Sequence, residues 1–184
     1  MKRILLIILL MLPLSSFAKE EVKFSKCIDG DTFKAVLDEE ITIRLLAVDT
    51  PEIGINGKEN EYYAIDASDY TCKILKNAKK IEIEYDEKSS KLDKYDRTLA
   101  WVFVDDYLLN DALVRNGYAK VKYVYDDYKY VDILNEHQSL AKKEKIGIWN
   151  DNHEEDIGLW TSVFIAILLS LFALLKNKLN NIKK

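Results

Sequence analysis

The chain has 184 residues, 48% hydrophobic and 32% charged, with a formal net charge of −4. This bounds it to one domain plus short extras, with enough apolar content for a packed core. The acidic balance excludes a protein that grips a polyanion through its whole surface.

In chain order, the first element is a leader. Lys2 and Arg3 precede an unbroken apolar run from Ile4 to Leu12; Pro13 and the small residues Ser15, Ser16 and Ala18 follow. This is the layout of a signal peptide over residues 1–18, cleaved after about Ala18 or kept as an N-terminal anchor. The exported domain is then residues 19–150. It holds 21 Lys and Arg against 27 Asp and Glu, a net charge near −6.

Within it, residues 22–28 and 32–37 read as two strands around the tight turn Asp29-Gly30-Asp31, and 41–48 as a third strand that Pro51 ends. Residues 52–61 make a polar loop. Ala64, Ala67, Thr71, Ile74, Leu75 and Ala78 share one face of a helix over 63–77, and the strict alternation of 80–85 marks a half-buried strand. A charged loop, 86–98, leads into an apolar strand, 99–104, with Asp105-Asp106 as its turn. Residues 109–116 read as a short helix with Gly117 as its C-cap, 118–125 as extended and aromatic, and 132–145 as a closing helix. Five strands with interleaved helices predict an α+β domain. A five-stranded barrel capped by about three helices is one of few ways to bury this pattern, although local reasoning does not choose between barrel and open sheet.

Beyond the domain, residues 151–156 form an acidic stalk. Residues 157–175 carry no charge, and 19 residues at ~1.5 Å each reach about 28 Å, close to the ~30 Å hydrocarbon core. They predict a transmembrane helix, with the lysine-rich tail 176–184 cytoplasmic and the domain facing outward.

Asp29, Asp31, Asp49 and Glu52 sit beside turns. If the strands that Asp31 opens and Asp49 closes are neighbours, the two carboxylates converge as a hard cation requires; the same spacing also serves as turn chemistry alone. Arg44 lies inside an apolar strand, where a guanidinium must face a cleft or a carboxylate. Arg97 ends the loop segment Asp93-Lys94-Tyr95-Asp96. Both suit planar phosphate recognition or a structural ion pair. Arg115 reads as a structural partner for an acid. The two histidines are His137, mid-helix, and His153, in the stalk, so acid–base chemistry falls to carboxylates and arginines. Cys27 and Cys72 match no zinc spacing, and a bridge and two free thiols are equally open.

Three segments together carry a family resemblance: Ile28-Asp29-Gly30-Asp31-Thr32, Arg44-Leu45-Leu46-Ala47-Val48-Asp49-Thr50-Pro51-Glu52, and Asp93-Lys94-Tyr95-Asp96-Arg97. With Gly117-Tyr118-Ala119-Lys120-Val121 and Trp149 they resemble the staphylococcal nuclease family from about residue 22 to 150. The resemblance implies an OB-type five-stranded barrel and a Ca²⁺-dependent phosphodiesterase cutting DNA or RNA to 3′-phosphates. A monomer with no organic cofactor is expected, tethered to the membrane by the uncharged 157–175 segment. Asp31 and Asp49 would hold Ca²⁺ by their side chains and Thr50 by its carbonyl. Glu52 would activate water, and Arg44 and Arg97 would grip the phosphate. Lys94 and Tyr95 would contact phosphate, and Tyr123 and Tyr125 would pack on the nucleotide. A weak or inactive binding module is the alternative. Three departures stand out: Asp96 replaces the family's glycine, where it could pair with Arg97 or shift the turn; the 86–92 loop is one residue longer; and the domain is acidic.

Overall fold

The computed structural model describes residues 19–150 and 163–172. The expected signal peptide, stalk and basic tail lie outside the described residues, as do both ends of the expected membrane span. Residues 163–172 are helical, with exposed apolar side chains such as Phe164, Leu169 and Phe172. Among the described residues no helix is long and apolar enough to cross a membrane. Ten residues reach only about 15 Å, half of a ~30 Å hydrocarbon core.

The N-terminal strand closes the sheet on itself. Its first part, β1 (Glu20–Glu21), pairs antiparallel with β6 (Ile81–Glu84). Its second, β2 (Lys23–Cys27), pairs antiparallel with β3 (Thr32–Val36). Only Val22 intervenes, and its N–H donates to the Ile81 carbonyl at 2.9 Å. Next, β3 pairs with β4 (Glu40–Leu45), β4 runs parallel to β7 (Thr98–Val104), and β7 pairs antiparallel with β6. Counting β1 and β2 as one bent strand, the ring has five members, as the resemblance implied. Closure leaves no long unpaired edge.

The strand expected over 41–48 is two. Strand β4 stops at Leu45, Ala47 turns with φ 59°, and β5 (Val48–Asp49) departs to pair with β9 (Lys120–Val121). The cause is Arg44, whose NH1 donates to the carbonyls of Leu45 (3.0 Å) and Val48 (2.8 Å) and so closes the turn. The expected extended run 118–125 likewise shrinks to β9. Lys122 makes a last backbone bond to Ala47 (3.0 Å), and Tyr123, with φ 60°, turns the chain away. A two-residue strand, β8 (Tyr107–Leu108), follows β7 after the Asp105-Asp106 turn.

Phe33, Ile43, Leu45, Ile83 and Val102 fill the barrel, each at most 1% exposed. Burying such a side chain is worth about 1.5–3 kcal/mol. Helix α2 (Leu109–Arg115) covers β7, and its buried Asn110 is fully used: the side chain accepts from the Val102 N–H (3.0 Å) and donates to the Leu46 carbonyl (2.8 Å). The core thereby grips the turn that leads to Asp49. Gly117, expected as the C-cap, lies one residue beyond the cap Asn116, with φ 69°; a Cβ there would lie 2.3 Å from the Ile146 carbonyl, so only glycine fits. Helix α3 (Val131–Lys143) closes the domain, two residues shorter at its end than expected because Lys145 is left-handed, φ 53°.

Helix α1 (Ala64–Asn77) is tied to the barrel by a Cys27–Cys72 disulfide, Cα–Cα 5.8 Å. Sequence left that pairing open. Bridging 45 residues removes loop entropy from the unfolded chain. The Cys27→Ala/Cys72→Ala variant is expected to lose about 2–4 kcal/mol of stability, read as a lower urea midpoint with a steeper slope, since the unfolded chain expands.

Candidate active site

Asp31 heads β3. Its own N–H is held by Asp29 Oδ1 (3.1 Å), and the residue is only 3% exposed. Its Oδ2 accepts the Thr50 N–H at 2.8 Å and its Oδ1 the Thr32 hydroxyl at 3.1 Å. Arg44 stands across the β3–β4 ladder from Thr32. Its NH2 lies 3.1 Å from Asp31 Oδ2 and 3.2 Å from Asp49 Oδ1. One buried guanidinium therefore gathers both acids. Asp49 closes β5, which shares no ladder with β3, and the carboxylates converge through Arg44 instead. Burial pushes the Asp31 carboxyl up to about 6; Arg44 acts against the rise and Asp29 adds to it.

Gly30 makes this approach possible. A Cβ there would sit 2.7 Å from Thr50 Oγ1 and 2.9 Å from Thr50 Cβ and Cγ2. Thr71 of α1 donates to the Gly30 carbonyl at 2.6 Å, one residue before disulfide-bonded Cys72. Helix α1 thus anchors the turn that aims Asp31.

In front of the acid pair opens a cleft of about 640 Å³. Arg44, Asp49, Glu52, Lys94, Tyr95, Arg97, Tyr123 and Tyr125 all line it, while Asp31 and Thr50 lie buried behind. Glu52 is braced by Glu61, whose Oε2 accepts its N–H (3.0 Å) while its carbonyl accepts the Glu61 N–H (3.0 Å). Burial and then the charges of Asp31 and Asp49 raise its carboxyl above the usual range. Tyr95, Tyr123 and Tyr125 are exposed rings, with Lys94 Nζ 4.8 Å from the Tyr95 centroid and Arg97 5.4 Å away. Arg115 is exposed on α2 and outside the cleft lining, and His137 faces Asp111 of α2 instead.

Arg97 is aimed by Asp93. Asp93 Oδ2 accepts from Arg97 Nε and meets its NH2, both at 2.7 Å, while Oδ1 accepts the N–H groups of Tyr95 (2.8 Å) and Arg97 (3.0 Å). Burial alone would raise the Asp93 carboxyl; the hydrogen bonds from Arg97 and Tyr95 outweigh it and hold the group low. Asp96 adopts the left-handed conformation, φ 59°, that a glycine would supply, so the turn is kept and Arg97's partner is Asp93.

Sequence reasoning missed Asp93 as the orienting acid, although its i,i+4 spacing to Arg97 was a usable signal. It also missed Ser89 and Ser90, which bring the 86–92 loop to the cleft, and Tyr128. Lys122, whose Nζ lies 2.8 Å from Asp49 Oδ2, was missed as well.

The donor set fits Ca²⁺ by its chemistry: the converging carboxylates of Asp31 and Asp49 are hard oxygen ligands, and the Thr50 N–H bond to Asp31 brings the Thr50 backbone up to the pair. Among the described residues no cluster of three or more acidic, His or Cys side chains gathers for a metal, so backbone and water would complete the shell.

Fold and site together define the class: an OB-type barrel with a candidate phosphate-binding cleft. Residues 42–151 match the family model described as staphylococcal nuclease homologue, and the chain belongs to that family. It is 37% identical over 134 residues to the SPbeta prophage-derived endonuclease YokF of Bacillus subtilis, covering 72% of this chain and 45% of that one. It is 38% identical over 131 residues to endonuclease YncB of Bacillus subtilis, covering 70% and 61%. A thermonuclease of Staphylococcus hyicus is 34% identical over 139 residues, covering 75% and 80%. The chain thus spans about half to three-fifths of the two Bacillus relatives.

Gly30→Ala is expected to drive Thr50 from Asp31 and cost about 1–3 kcal/mol, the usual range for overpacking, measured by urea unfolding without added cation.

Proposed function

We propose that the protein is a Ca²⁺-dependent endonuclease that hydrolyses DNA, RNA or both to 3′-phosphate products. The observation that carries this reading is the shared cleft, which brings Arg44, Asp49, Glu52, Arg97 and exposed tyrosines together. The similarity to proteins named endonuclease and thermonuclease supports it.

Asp31, Asp49 and the Thr50 carbonyl would hold Ca²⁺, which when bound supplies positive charge to the phosphate oxygens. Glu52, its carboxyl made more basic by burial and by the neighbouring acids, is suited to take a proton from the attacking water. Arg97, held by Asp93, presents a guanidinium to charge developing on the phosphate. The exposed rings of Tyr123 and Tyr125 give bases a stacking surface.

We further propose export and tethering, with the domain outside the cytoplasmic membrane. The leader pattern of residues 1–18 and the uncharged stretch 157–175 support this. So does the disulfide, which persists in oxidising compartments.

The test is cleavage of plasmid DNA and of single-stranded RNA by the full chain in mild detergent, with Ca²⁺ or with EDTA. Cleavage is expected only with Ca²⁺, and Glu52→Gln and Arg97→Ala are each expected to be about 10²–10³ slower. Both substrates intact under both conditions, with folded protein, refute the reading.

A further inference from the structure

The acid pair has a second cation that the expected machinery does not use. Lys122 Nζ donates to Asp49 Oδ2 at 2.8 Å, on the opposite oxygen from the one that faces Arg44. Two carboxylates, Asp31 and Asp49, thus meet two cations, Arg44 and Lys122, and the cluster is neutral without any metal. The two cations differ in mobility. Arg44 is 8% exposed in its side chain and also bonded to the Leu45 and Val48 carbonyls. Lys122 is 51% exposed; its backbone is bonded to the Ala47 carbonyl, and beyond Asp49 its ammonium meets only Tyr123, itself exposed. Its flexible stem leaves the ammonium 4.9 Å from the centroid of Tyr123, a ring that lines the cleft. Rotation of the side chain alone frees Asp49 Oδ2.

We propose that Lys122 is the resident counter-ion of the cation site, occupying Asp49 Oδ2 until a divalent cation takes that oxygen, so that residue 122 sets the cation affinity. The inference rests on the cation site of the proposed function. A divalent cation arriving beside an ammonium meets like charge within a few ångströms, so the lysine must leave. An exchange of this kind makes the site weaker than its oxygen donors alone would make it. It also makes binding selective for ions that outcompete an ammonium, which a divalent cation does and a monovalent one does not.

The experiment is calorimetric titration of Ca²⁺ into the full chain in detergent, with no nucleic acid, comparing the wild-type protein with Lys122→Met, Lys122→Gln and Lys122→Arg. Loss of the partly exposed pair and its repulsion is expected to tighten Ca²⁺ binding about 3- to 10-fold in the Met and Gln variants, with Arg close to wild type. Melting temperatures in EDTA check that all four proteins are folded, and the Met and Gln variants are substitutes for each other if one fails. Ca²⁺ uptake with equal or weaker affinity in the Met and Gln variants overturns this inference alone. No uptake by any of the proteins overturns the cation site of the proposed function and this inference with it.

Discussion

A buried guanidinium on a barrel strand is costly unless its charge is met, and at Arg44 that requirement organises the surroundings. Its two faces of donors point at different things. NH2 reaches the acids Asp31 and Asp49, while NH1 takes two carbonyls of its own chain. The first set brings together residues from strands β3 and β5, which share no ladder. The second ends β4 and starts the turn at Ala47, without which Asp49 would continue away from Asp31. Gly30, Thr50 and Thr71 then form the packing that holds Asp31 at the right distance. The geometry of the site is thus the solution to one electrostatic problem posed in the middle of an apolar strand.

The opposite wall of the cleft depends on a different pair of buried acids. Asp86 Oδ2 accepts from the indole of Trp101 (2.9 Å) and from the Lys129 N–H (2.8 Å), and Oδ1 accepts the Lys88 N–H (2.9 Å). Glu84 accepts from Lys129 Nζ and, at 3.0 Å, from the Tyr130 hydroxyl. The barrel core, the 86–92 loop and the segment that carries Tyr123 and Tyr125 are therefore joined through two carboxylates. Neither acid lines the cleft, yet both determine where its exposed rings stand. This explains how a segment with almost no regular structure between Val121 and Tyr130 keeps a defined path.

Much of the barrel was legible in the sequence because strand alternation and turn residues are local signals. Residues 80–85 alternate, 99–104 are apolar throughout, and Gly117 stops a helix; each appears in the structure within a residue or two. The division of the 41–48 strand was not legible, because it is imposed by side-chain bonds from Arg44 to carbonyls further along the chain. The closure at Val22 and the Cys27–Cys72 bridge depend on contacts between distant segments, which local patterns do not encode. Arg44, Asp49, Glu52 and Arg97 stood out by their positions beside turns or inside apolar runs, but those positions alone left turn and ion-pair roles open, and the roles assigned to them came from the family resemblance. Lys122 did not stand out, since one more lysine in a chain with many carries no signal until it is seen against Asp49.

The charge balance gives the cation a role in binding as well as in chemistry. The domain carries a net charge near −6, so its long-range field repels a polyanion; attraction must act within a Debye length of about 8 Å. At that range the acid pair is neutral when only Arg44 and Lys122 face it. Exchanging Lys122 for a divalent cation makes the same cluster more positive by one charge, and Lys94 and Arg97 stand along the same cleft. In the proposed function a phosphate is therefore drawn in only after the cation is seated. A more basic surface would hold nucleic acid whether or not the site was loaded. The acidic surface removes that background, and the order of events then follows from the cleft's own charges.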